Sequence, residues 1–148
     1  MPYCCPEPTQ EQVILAAKLG FDAKDRCGDG LTDTSPCDVL CAACLIHDEL
    51  FLLGGTIEKF HLANSNFARD CIILAEAVDD IFLRIETMSR ALLYLTFITG
   101  VSWQFWHFKD RNNDITRAQG EAFMVEAKIW INECAIKTKN PLPYPEVL

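Results

Sequence analysis

The sequence predicts a single all-α domain over residues 1–148, and three observations carry that reading. Most windows longer than ten residues place apolar side chains at helical spacing, whereas the alternating stretches that build half-buried strands are few. Hydrophobic residues make up 50% of the chain, enough for one sizeable core. Helix start and stop signals recur along the chain, with short connections between them.

The first helix begins near Thr9, where TQEQ has the form of a capping box, and its face Val13, Ala16, Ala17 ends at Gly20. A polar, glycine-bearing loop follows over residues 21–34. In SPCD, Ser35 suits the N-cap, Pro36 the first helical position and Asp38 the first turn of the second helix, which ends at Gly54 and Gly55. Its stripe is Cys37, Leu40, Cys41, Cys44, His47 and Phe51, with Asp48 beside it. The third helix starts after Thr56, carries Phe60, Asn64, Phe67, Cys71, Leu74 and Val78, and breaks near Asp79 and Asp80. A fourth carries the apolar positions Ile81, Ile85, Met88 and Leu92 toward the aromatic cluster WQFWHF. The last spans about residues 116–136. Residues 1–8 and the proline-rich 139–148 read as extended tails.

The second and third helices, about residues 36–53 and 57–77, are joined by a few residues and should lie antiparallel. His47 then lies roughly 10 Å from the turn and Asn64 roughly 13 Å on the other side, at about 1.5 Å per residue. The two side chains face each other across the pair. An asparagine oxygen there would accept from one ring nitrogen and fix the tautomer, leaving the other nitrogen as a base toward water. Asp48, about 100° around the helix, points toward the glycine loop, where a carboxylate and backbone carbonyls could cage a hard cation such as calcium. The plainer alternative is a satisfied core histidine followed by a surface aspartate.

A formal net charge of −8 argues against a nucleic-acid partner and against an anionic membrane surface. No signal peptide is visible: Met1 is followed by PYCCPEP, with neither a basic start nor an apolar run. The eight cysteines leave the compartment open: secreted or periplasmic if disulfides form, otherwise cytoplasmic. The sequence sets no oligomeric state.

Cys27-Gly28-Asp29-Gly30, Pro36-Cys37-Asp38 and Cys44-Leu45-Ile46-His47-Asp48 resemble the signature of the secreted phospholipase A2 superfamily: Cys-Gly-x-Gly, then Pro-x-Asp, then Cys-x-x-His-Asp. The continuation HDELFLLGGTIEKFHLAN is similar to a bacterial branch, and the likeness covers about residues 25–71. The resemblance implies a phospholipase A2-like domain whose central antiparallel pair carries the His-Asp motif, with further C-terminal helices. It implies calcium-dependent hydrolysis of an acyl ester of glycerophospholipids at a phospholipid or membrane surface. His47 would be the general base oriented by Asn64, and Ca2+ would be held by Asp48 with the backbone carbonyls of Arg26, Gly28 and Gly30. A Cys27–Cys44 disulfide would tie the loop to the catalytic helix. The family usually has Asp in place of Asn64, Tyr in place of Phe51 and Cys in place of Ala43, so a catalytically silent binding or structural relative is the alternative.

Other readings attach to the remaining residues. Cys37, Cys41 and Cys44 share a helical face with His47 and could bind zinc or an iron–sulfur cluster. Asp70 is a conceivable substitute for Asn64, although it lies well off the stripe. Trp103, Phe105, Trp106 and Phe108 read as core or, if exposed, as an aromatic surface for lipid.

Overall fold

The computed structural model describes residues 3–24, 27, 37–106, 116–140 and 144. Among these the chain is all-α: α1 (Gln10–Leu19), α2 (Cys41–Leu53), α3 (Ile57–Glu76), α4 (Ile81–Val101) and α5 (Arg117–Thr138), with a 3-10 turn at Ser102–Phe105 after α4.

α2 is the centre of the fold. Its sequence CAACLIHDELFLL is apolar nearly all round, and every residue except Asp48 and Leu50 is buried, as a helix with no polar face requires. α5 and α3 pack along it, α1 touches it, and α3 is also covered by α4 and α5. α5 comes close to α2 at Gly120, where a Cβ would stand 2.8 Å from the Leu53 side chain.

Capping follows the sequence at four helix starts. Thr9 and Gln12 form the capping box of α1, and Thr116 and Gln119 form that of α5. Thr56 caps α3, and the Asp80 carboxylate accepts from the Leu83 amide at 2.8 Å to start α4. α1 stops at Gly20 with φ 94°. Gly54 and Gly55 both have positive φ (65° and 130°), which is why the turn between α2 and α3 needs glycine. Trp106 then locks that turn, its indole N–H donating to the Gly55 carbonyl at 3.1 Å.

Several expectations are corrected. α2 starts at Cys41 rather than near residue 36; Cys37 and Leu40 precede it, while Ser35 and Pro36 lie outside the described residues. Asp38 is therefore not a first-turn charge. It accepts from the Leu40 amide at 3.0 Å and takes both guanidinium nitrogens of Arg90, pinning α4 to the approach to α2. In α1 the buried face is Gln12, Leu15, Ala16 and Leu19, so Val13 is half-buried and Ala17 exposed. The face is set by Gln12, whose amide donates to the buried Glu49 carboxylate of α2 at 2.6 Å. Val78 lies beyond the end of α3. In α4, Ile81, Ile85 and Leu92 point outward, and the buried residues are Thr87, Ala91 and Tyr94.

Three disulfides, Cys4–Cys37, Cys5–Cys41 and Cys27–Cys44, join the N-terminal segment and the loop to α2 and the residues before it. Cys71 and Cys134 are buried free thiols. The zinc or iron–sulfur reading of Cys37, Cys41 and Cys44 falls with this, because each sulfur is bonded to another cysteine. Among the described residues no helix is long and apolar enough to cross a membrane.

Candidate functional site

α2 and α3 run antiparallel from the Gly54-Gly55 turn, and the pairing brings His47 and Asn64 together. Nε2 of His47 lies 2.8 Å from Asn64 Oδ1. The Asn64 amide group donates in turn to Ser102 Oγ over a long 3.5 Å, which directs the oxygen at the imidazole. An amide oxygen can only accept, so Nε2 carries the ring proton and Nδ1 keeps its lone pair. No hydrogen-bond partner for Nδ1 occurs among the described residues.

The ring is gripped from two sides. Phe51 and Phe67 lie 4.3 Å and 4.8 Å from it, centroid to centroid. Behind Phe51, Phe60 and Trp106 form a second small aromatic core. Burial pushes the His47 pKa down from 6.5 to about 4, the hydrogen bond with Asn64 offsetting part of that fall. The imidazole is thus neutral at physiological pH.

His47 opens on a cavity of about 210 Å³ whose walls are mostly apolar, with Phe67, Tyr94, Phe97 and Ile98 among them. Its polar groups include His47, Asp48, Asp22 and Ser102. One Asp48 carboxylate oxygen is buried. The Cys27–Cys44 disulfide forms part of the wall, with Cα atoms 5.3 Å apart, as the resemblance implied.

Of the four residues expected to hold calcium, Asp48 is described and lines the cavity; Arg26, Gly28 and Gly30 lie outside the described residues. The arrangement fits a hard cation in two respects. The disulfide brings residue 27 to α2 one turn before Asp48. Asp48, which carries a hard carboxylate, lines the same cavity as the histidine. Groups of three or more His, Cys, Asp or Glu suited to a metal do not occur among the described residues, and a site made of one carboxylate and backbone carbonyls is not of that kind.

Asp70 is not a substitute partner for His47. Its carboxylate is fully buried on the other side of α3 and accepts from the Tyr144 hydroxyl at 2.5 Å. Sequence reasoning missed Ser102, Asp22 and the cavity wall from α4. Ser102 carried no pattern, and the α4 wall depends on which way that helix is rolled.

Comparison with known protein families, with curated proteins and with solved structures finds no match. The functional reading therefore rests on the site geometry and on the signature in the sequence.

Proposed function

We propose that the chain is a phospholipase A2-like, calcium-dependent hydrolase of glycerophospholipid acyl esters, with His47 as general base. The observation that carries this reading is the His47–Asn64 hydrogen bond at the head of an apolar cavity that Asp48 also lines. It leaves Nδ1 with its lone pair on a ring that lines a mostly apolar space.

In this mechanism Asn64 holds Nε2–H, so the ring neither rotates nor changes tautomer. Nδ1 removes a proton from water as the water oxygen bonds to the ester carbonyl carbon. The bond to the glycerol oxygen then breaks, and the same proton passes from Nδ1 to that oxygen, releasing a fatty acid and a lysophospholipid. Calcium would be held by Asp48 together with the backbone carbonyls of Arg26, Gly28 and Gly30 that the resemblance implies, and when bound it would supply positive charge to polarise the ester carbonyl. The apolar walls exclude bulk water from the reacting atoms. The three disulfides favour maturation in an oxidising compartment.

A second reading, a catalytically silent relative, is favoured by one specific feature. Asn64 is neutral and Phe51 has no hydroxyl, so the partner of His47 Nε2 brings no negative charge to the imidazolium that forms during attack. Fatty-acid release from phospholipid in calcium and in chelator separates the two. The hydrolase reading expects calcium-dependent release that His47→Ala lowers about 100-fold or more. Asn64→Asp with Phe51→Tyr should raise it about 10-fold or more by restoring the negative partner and its tether. Absence of calcium binding and of hydrolysis, before and after those changes, would establish the silent relative.

A further inference from the structure

The outer face of α4 has the character of a core but lies in solvent. Phe82, Ile85 and Leu92 are 80%, 57% and 65% exposed, and Leu93 and Phe97 flank them. Positions 82, 85, 89, 92, 96 and 99 follow the alternating three- and four-residue spacing of a helix-packing seam, and all six are exposed. The buried Thr87, Ala91 and Tyr94 lie on the opposite face. No charged residue occupies the seam.

The polar members of the seam are already satisfied. The hydroxyls of Ser89, Thr96 and Thr99 donate to the carbonyls of Ile85, Leu92 and Leu95 of the same helix, at 2.9, 2.9 and 2.8 Å. Removing them from water therefore strands no donor.

We propose that this face is a self-association surface, on which α4 of a second copy of the chain packs antiparallel about a two-fold axis level with the Arg90–Ala91 peptide. In that register Phe82 lies opposite Thr99 of the second copy, Ile85 opposite its Thr96 and Leu92 opposite its Ser89. The two-fold repeats each pair. Every bulky side chain meets a short one, as interdigitating helices require.

The available area suits this occupant. At roughly 150–250 Å² for a large side chain, the apolar residues of the face leave on the order of 600 Å² exposed, at the top of the ~300–600 Å² range of the largest patch on an ordinary monomer and at the lower end of the ~600–1,000 Å² per partner of a standard interface. A bilayer is the weaker candidate. Fluid lipid makes no use of alternating large and short side chains, whereas two interdigitating helices do. The seam runs beside Phe97, so a seated copy borders the mouth of the cavity. None of this depends on the hydrolase reading.

Sedimentation equilibrium on the full chain tests it, with circular dichroism confirming that each variant is folded. The wild type should be a dimer at micromolar concentration, and Leu92→Glu should weaken association about 100-fold or more without loss of helix. Thr96→Leu tests the register: it adds apolar surface but fills the space needed by Ile85 of the second copy, so it should also weaken the dimer. A monomeric wild type, an unchanged Leu92→Glu variant or tighter association of Thr96→Leu would each overturn the proposal. So would a monomer that sediments with phosphatidylcholine vesicles and loses them on Leu92→Glu, which would assign the face to lipid.

Discussion

His47 and Asp70 are both buried, and burial disfavours the charged form of each, with opposite consequences for stability against pH. The His47 pKa lies at about 4 folded against 6.5 unfolded, so the unfolded chain takes up the extra proton as pH falls. The stability it contributes is complete above pH 6.5 and is lost between there and about 4, amounting to roughly 3 kcal/mol at about 1.4 kcal/mol per pH unit. Urea unfolding of wild type and His47→Gln at pH 7 and pH 4 should show that extra loss in the wild type alone. Asp70 runs the other way. Burial raises it from 3.8 to about 7 against the Tyr144 hydrogen bond and the charges of Arg69 and Lys128, so its favourable contribution is present below 3.8 and lost as pH rises through 7. Asp70→Asn, which keeps an oxygen for the Tyr144 hydroxyl, should stabilise the protein by a margin that grows from pH 4 to pH 8, read by the same unfolding curves. A margin that shrinks with pH would contradict the burial argument. The His47–Asn64 pair was legible in the sequence because helical rise and a two-glycine turn fix which positions meet. The Asp70–Tyr144 pair was not, since its members lie 74 residues apart and on no shared element.

At the scale of elements, caps and turns were readable because they are local: Thr9, Thr56, Asp80 and Thr116 each cap the helix that follows within four residues. The start of α2 was misplaced because Asp38, which has the residue type of a first-turn charge, is drawn into the ion pair with Arg90, 52 residues away. α4 shows the limit of periodicity. Its apolar residues surround the helix, so hydrophobicity alone does not say which side faces the core; α4 packs on α3 with the cavity-lining Tyr94 and the small Ala91 and Thr87 buried, and larger residues are left outside. The α2–α5 crossing depends on a residue with no side chain. Gly120→Ala places a methyl 2.8 Å from Leu53, and overpacking of about 1–3 kcal/mol outweighs the gain of up to about 1 kcal/mol in helix propensity. The variant should lower the thermal midpoint; a rise would mean that Leu53 moves aside freely.

Across the whole molecule, three disulfides hold the N-terminal segment and the cavity loop against a helical core built by α2, α3 and α5. Two of the three pairings could not be read from the sequence, because eight cysteines allow many connectivities; the third was implied by the resemblance alone. The remaining Cys71 and Cys134 lie in the interior, and burial pushes both thiols up. Thiol titration of the non-reduced protein should therefore find no reactive cysteine while it is folded and both after unfolding; more than two would show a missing bridge. The fold thus delivers a neutral histidine, fixed by Asn64, to an apolar cavity that Asp48 shares. The pH profile of kcat/KM for calcium-dependent phospholipid hydrolysis tests that histidine as the base most directly, because it reads the protonation of the free enzyme. The wild-type rate should hold level from neutrality down to an acidic limb near pH 4, and Asn64→Asp should move that limb up by about one to three pH units as a carboxylate stabilises the imidazolium. A limb unmoved by Asn64→Asp, or no calcium-dependent rate at any pH, would contradict His47 as the base.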